Sequence, residues 1–243
     1  MLRVATGNKI LTALPQEELT NVGRQLEGVY FEKGEAVYMT GDRIRYAYFP
    51  VTGWFSLISN TEDGSTVEIA MIGKEGMVGH SVILHHGIAP CGVSAQVSTY
   101  ALRIRAEVLE KEFQKGGVLQ ELVLRYLDLL IAQVSQLTVC NRYHVLEKAL
   151  SRWLLIAQDL ADSQSLNLTH ESISQALGVP RTGVTMAAGA LQRAGLIHYS
   201  RGKIVILNRT QLEANSCECY RIIHNETQQF LKELDSRVKA QRL

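Results

Sequence analysis

The 243-residue chain is 46% hydrophobic and 20% charged, the balance of a soluble globular protein with room for two domains of ordinary size. A formal net charge of +1 excludes a generic polycation, so any affinity for nucleic acid must come from local placement of charge. Four scattered cysteines argue against a disulfide framework, and no uninterrupted apolar run approaches ~20 residues, so a cytoplasmic protein with reduced thiols and no membrane partner is expected.

A short helix is predicted over about Gln16 to Leu26. From about Lys33 to Ile104 the pattern is one of short strands: Ala36–Met39, Tyr46–Phe49, Trp54–Ile58 and Thr66–Ile72 are β-branched or aromatic and are punctuated by glycines. Strands at this spacing predict a sandwich or barrel, with Glu62-Asp-Gly64 as the clearest hairpin turn. Four potential metal or haem ligands, His80, His85, His86 and Cys91, gather in this region, but their spacing fits no strong metal motif. A solvated turn is the commoner use of such residues, and no cofactor is predicted.

After Gly116 and Gly117 the period changes. Leu119, Val123, Tyr126, Leu130, Gln133, Leu137 and Cys140 alternate by four and three, the a/d seam of a coiled coil, which predicts a homodimer. The same helix also carries Leu122, Leu127, Leu129 and Ile131, so one face is expected on its own barrel and the other on a second copy. Gln133 would then set the register. A hinge is expected over Asn141 to His144, dividing the chain at 1–116, 117–144 and 145–243.

The segment Thr169–Arg193 spells a helix-turn-helix. Thr169 is a good N-cap, Leu168 and Ile173 stand where a hydrophobic staple closes, and Gly178 sits where a helix end needs a left-handed residue. Pro180 suits the start of the second helix. Val184, Ala187, Ala188, Leu191 and Ala194 give that helix a buried face, leaving Arg181, Thr182, Thr185, Met186, Gly189 and Arg193 outward. Two apolar runs joined by Ser200-Arg-Gly-Lys203 then read as a hairpin with Arg201 and Lys203 at its tip. Only Glu171 opposes four cations between Thr169 and Lys203, a local charge of +3. This arrangement predicts a second helix in the major groove of double-stranded DNA and a wing on the phosphates. Arg181, Thr182, Thr185 and Met186 are expected to face bases, and Thr169, His170, Arg193, Arg201 and Lys203 to hold or flank phosphates. Gly183 and Gly189 would let the backbone approach closely.

Beyond the wing, Gln211 to Leu243 reads as a helical tail. Cys217 and Cys219 could pair or bind a soft metal, but on a helix residues i and i+2 point apart, so simple packing is expected. No Ser-His-Asp set, phosphate loop or His-x-x-x-His pair stands out, so no enzyme is expected.

From about Leu11 to Leu207 the order of parts resembles the cyclic-AMP receptor protein and fumarate-nitrate regulator (Crp/Fnr) family, with Gly178, Arg181 and Val184 matching its Gly-x-x-Arg-x-x-Val register. The resemblance implies an α+β chain: an antiparallel β-roll of the cyclic-nucleotide-binding, jelly-roll kind, a long dimerisation helix and a winged helix-turn-helix. It further implies a transcription regulator that binds inverted-repeat promoter sites as a homodimer, with RNA polymerase as a partner. The chain departs from the family's nucleotide site: Gly79 is followed by His80 instead of an acid, and Ile88–Gly92 holds no cation for a cyclic phosphate. Cyclic AMP is therefore not expected as the ligand. The iron-sulfur branch is also excluded, because no cysteine precedes Cys91. Met186 replaces a second basic residue, which predicts an altered half-site. The alternative is a module that docks its helix-turn-helix face on a protein without DNA.

Overall fold

The structure is a computed structural model and describes residues 7–241 apart from positions 85, 86, 162 and 164. Its contacts divide the chain into two units. The first comprises the chain through Leu57, Ile72–Ile131 and the segment from Glu226 onwards, and the second comprises Ile58–Met71 and Ala132–Asn225.

Two small helices, α1 (Lys9–Thr12) and α2 (Gln16–Gly23), open the first unit. Seven strands follow: β1 (Glu27–Phe31), β2 (Ala36–Tyr38), β3 (Tyr46–Thr52), β4 (Phe55–Asn60), β5 (Thr66–Ile72), β6 (Gly92–Ala95) and β7 (Thr99–Arg105). They form a three-stranded sheet, β1-β7-β3, and a four-stranded sheet, β2-β6-β4-β5. Alternation along β3 buries Ala47 and Phe49, and Phe31 of β1 meets Tyr48 of β3 and Phe55 of β4 edge to face at centroid distances of 5.5 and 5.3 Å. The sequence pattern missed β1 because only Phe31 of its five residues is buried, which leaves no alternation to detect. Gly53 is required at its turn: φ is +69°, and a Cβ there would stand 2.7 Å from the Ser98 carbonyl.

Helix α3 (Ala106–Gln114) leads through Gly116 and Gly117, both at positive φ, into α4 (Val118–Tyr143). The free amides that start α4 are satisfied from α2, where the Glu18 carboxylate accepts from Val118 N at 3.0 Å and Leu119 N at 2.8 Å. The expected dimer seam is corrected here. Leu119, Val123, Tyr126, Leu130, Leu137 and Cys140 are buried within the single chain, and the Tyr126 hydroxyl donates to the Met77 carbonyl at 2.9 Å. Gln133 is half-buried. The unpartnered stripe lies one residue over: Leu124 is 49% and Ile131 64% exposed, Thr138 is exposed, and Leu127 and Val134 are half-buried between them. Two apolar stripes share the helix, and the chain's own core takes the one that the pattern gave to the partner.

By length and composition alone α4 is apolar enough to cross a membrane, although polar residues interrupt its apolar run. Its apolar residues nevertheless fill a core, and its Arg125 pairs with Asp128 at 2.8 Å and Glu233 at 3.4 Å.

The second unit holds α5 (Leu146–Ala161), β8 (Ser165–Leu166), α6 (His170–Leu177), α7 (Arg181–Arg193), β9 (Ile197–Ser200), β10 (Lys203–Ile206), α8 (Arg209–Asn215) and the start of α9 (Glu218–Ala240). The strands form one antiparallel sheet, β8-β10-β9. Leu150, Trp153, Leu154 and Leu155 of α5 are its core, and the Trp153 indole donates to the buried Glu68 carboxylate at 2.7 Å. The tail divides differently from the sequence boundary. The segment from Glu226 onwards belongs to the first unit, where Phe230 and Leu234 are buried, Arg237 pairs with Glu121 and Lys9 with Asp235.

Candidate nucleic-acid interface

The helix-turn-helix forms as its local chemistry dictates. The Thr169 hydroxyl accepts from Ser172 N at 3.1 Å, and the Ser172 hydroxyl accepts from Thr169 N at 3.1 Å, a reciprocal cap that starts α6. Gly178 ends it at φ +63°, with its N–H on the Ser174 carbonyl. A Cβ at Gly178 would also press on Val67 at 3.3 Å, because the β4–β5 hairpin lies over this turn, and Thr66 Oγ1 donates to the Gln175 carbonyl at 3.4 Å. Pro180 stands at the cap of α7, one place before its first helical residue.

Val184, Ala187, Ala188 and Leu191 are the buried face of α7, as the periodicity predicts. Ala194 is the exception, an exposed residue at the helix cap, because the helix ends before its turn closes on the core. Arg181, Thr182, Thr185 and Met186 are all exposed, Met186 at 75%. Thr185 has an inward duty too, since its hydroxyl donates to the Arg181 carbonyl at 3.0 Å. Gly183 has an inward reason for its smallness: a Cβ there would stand 3.0 Å from Leu146 Cδ2, so the glycine admits the neighbouring α5.

The expectation for His170 is corrected most fully. It is 9% exposed, its Nδ1 lies 3.0 Å from Thr185 Oγ1, and its ring stacks on Tyr199 of β9 at 4.0 Å and 20°. Because the Thr185 hydroxyl proton goes to the Arg181 carbonyl, the imidazole Nδ1 is the donor in this pair, and the buried Nε2 has no partner. Burial, and then the nearby charge of Arg181, lower the His170 pKa and keep the ring neutral. His170 thus joins α6, α7 and the wing. The pattern missed Tyr199 as its partner because an apolar strand residue 29 positions away carries no local sign of the contact. Gln192 completes the joint by accepting from Tyr199 N at 2.7 Å.

The wing tip carries Arg201 at φ +47° and Gly202 at φ +78°, so both central residues of the turn are left-handed. Gly202 was expected there. Arg201 is a side chain that rarely accepts this conformation, held where it presents its charge to solvent. Arg193 and Lys203 are exposed as well, as is Thr169.

In the first unit, Gly79 is left-handed at φ +93° and leads into a single 3₁₀ turn, His80–Val82. Burial lowers the His80 pKa and raises that of Cys91, so both are neutral. His85 and His86 lie outside the described residues. Ile88 pairs with Arg43 in an isolated antiparallel bridge, and Arg43 lines a cleft of about 640 Å³ with Arg45, Tyr46 and Arg105. Among the described residues, the side chains that gather within reach of one metal ion lie elsewhere, at Cys140, His144, Cys217 and Cys219. Cys217 is not helical, as the sequence pattern assumed. It falls in the break between α8 and α9 after the extended Ser216.

Comparison with known proteins finds two family domains in the chain. Residues 28–115 match the family model of the cyclic nucleotide-binding domain, and residues 148–215 that of the Crp-like helix-turn-helix domain. The chain is 23% identical over 224 residues to the global nitrogen regulator of Synechococcus elongatus, covering 86% of this chain and 97% of the relative. It is 25% identical over 210 residues to that of Nostoc sp., covering 77% and 92%. The fold is shared with FixK2 from Bradyrhizobium japonicum, at TM-score 0.68, 18% identity and coverage of 79% and 98%. A Crp/Fnr-family transcriptional regulator from Thermus thermophilus gives TM-score 0.62, 22% identity and coverage of 78% and 98%.

Proposed function

As the chain belongs to the Crp/Fnr family of transcription regulators, we propose that it acts in the cytoplasm as a homodimer that binds inverted-repeat promoter sites and works with RNA polymerase. The observation that carries this reading is the division of α7: one face is buried in the second unit, and the other holds Arg181, Thr182, Thr185 and Met186 in solvent beside a basic wing. Arg181, at the first turn of α7, has the fork geometry to read a guanine edge, and Met186 offers an apolar contact to a thymine methyl. Arg193, Arg201 and Lys203 neutralise phosphates, and Thr169 flanks them.

A dimer sets two such helices into successive major grooves about 34 Å apart. The stripe of exposed Leu124, Ile131 and Thr138, with half-buried Leu127 and Val134 between them, supplies the seam for that pairing. Cyclic AMP is not the effector in this reading, because His80 replaces the ribose-binding acid and the stretch Ile88–Gly92 has no cation of its own.

Footprinting on genomic fragments tests the proposal. A protected inverted repeat, with affinity that falls steeply as salt rises, is the expected result. Affinity that ignores both sequence and salt would overturn it in favour of protein docking. Calorimetry with cyclic AMP is expected to show no heat of binding at micromolar concentration.

A further inference from the structure

Four ligand-type side chains converge where α4 ends and α9 begins. Cys140 and His144 are one helical turn apart, and the turn is kept by His144 N donating to the Cys140 carbonyl at 3.1 Å. Cys217 and Cys219 come from the break before α9 and its first turn. The Cys217 carbonyl accepts from Tyr220 N at 3.1 Å, so Cys217 takes a capping position and its side chain leaves the helical register. One ligand atom from each of the four residues lies within 4.8 Å of every other.

Two of these separations are 3.5 Å, Cys140 Sγ to Cys217 Sγ, and 3.4 Å, Cys219 Sγ to His144 Nδ1. A tetrahedral zinc ion with bonds near 2.3 Å to sulfur and 2.0 Å to nitrogen spaces its ligand atoms about 3.5–3.8 Å apart. We infer that Cys140, His144, Cys217 and Cys219 form a Cys₃His site for a borderline-soft divalent metal ion of the zinc class. The cysteines are buried and the histidine half-buried, and the four donors fill a tetrahedral shell without a water, which makes the site structural.

The surroundings fit such an ion. Glu218 Oε2 lies 3.2 Å from His144 Nε2, which leaves Nδ1 toward the sulfurs, the carboxylate–imidazole pairing that orients metal-bound histidines. The Gln136 amide donates to Cys219 Sγ at 3.1 Å. Three thiolates and a divalent cation carry one net negative charge, and Arg152, 3% exposed, sets its positive charge beside Cys140. On binding, the thiol protons pass to solvent and the metal takes their place.

Cys140 and Cys217 stand 77 positions apart and bracket the whole winged helix-turn-helix, so a bound ion clasps both ends of that segment.

The test uses the full chain, reduced, stripped with chelator and titrated with Co²⁺ alone. One equivalent should bring a thiolate-to-cobalt charge-transfer band and the intense visible bands of tetrahedral cobalt, and one equivalent of Zn²⁺ should abolish both. Cys140→Ser and Cys219→Ser should lose the charge-transfer intensity in step with the lost thiolates, whereas Cys91→Ser should keep it. Wild-type protein that takes up no stoichiometric cobalt, or variants with unchanged bands, would overturn the site. If a variant does not fold, the wild-type titration still decides. The readout is the metal alone, so it stands independently of DNA binding.

Discussion

The Trp153 indole and the Glu68 carboxylate, both buried, meet in a 2.7 Å hydrogen bond that fastens the β4–β5 hairpin to α5. Trp153→Phe keeps most of the ring but removes the donor from a desolvated acceptor, at a cost of ~1–3 kcal/mol. Glu68→Gln keeps an acceptor and should cost less. Urea denaturation of the two variants beside the wild type checks the order, and midpoints unchanged from the wild type in both would show that the bond contributes nothing.

His170 should make stability depend on pH. Its folded pKa lies below the unfolded value of about 6.5. The unfolded chain therefore binds the proton first, so the contribution of the neutral ring is complete above that value and is lost as pH falls below it. His80, also lowered by burial, adds a loss of the same sign. His170→Phe keeps a ring against Tyr199 without a titrating group, and should flatten part of the fall in unfolding free energy below about pH 6.5. An unchanged slope would contradict the burial of His170.

Arg181 and Lys203 should fail in different ways. Arg181→Ala is expected to cost ~1–3 kcal/mol on the preferred site and to relax one position of the half-site. Lys203→Ala should weaken every sequence alike and reduce the salt slope by about 1. Competition binding with single-base operator variants, repeated at two salt concentrations, separates the two outcomes.

Helix α4 gives a paired test of its two stripes. Ile131→Glu places a charge on the exposed stripe and should convert dimer to monomer in sedimentation without loss of helix content. Val123→Glu places the charge in the core, with an expected loss of folded protein of the order of 3 kcal/mol or more. If Val123→Glu instead gives a folded monomer, the seam lies where the sequence pattern put it.

What was legible in the sequence was what short-range chemistry decides. The Thr169 cap, the left-handed Gly178 and the glycine of the wing each follow from a few neighbouring residues, and so the helix-turn-helix stands where expected. Facing directions were less legible. The stripes Leu119–Val123–Tyr126–Leu130 and Leu124–Leu127–Ile131 differ by one residue, and burial in the fold, with Tyr126 on the Met77 carbonyl, shows which is core. His170 looked outward from a helix start until Tyr199 covered it, and Gly183 looked like a concession to a ligand when it makes room for Leu146. Cys217 and Cys219 looked divergent because nothing local marks the helix break at Ser216.

The joint of His170, Gln192 and Tyr199 also limits how this protein can be re-engineered. Transplanting residues 181–193 alone into another scaffold would leave behind the imidazole and the phenol that fix the tilt of the helix against its hairpin. A chimaera meant to keep the same preference must carry all three elements as one cassette.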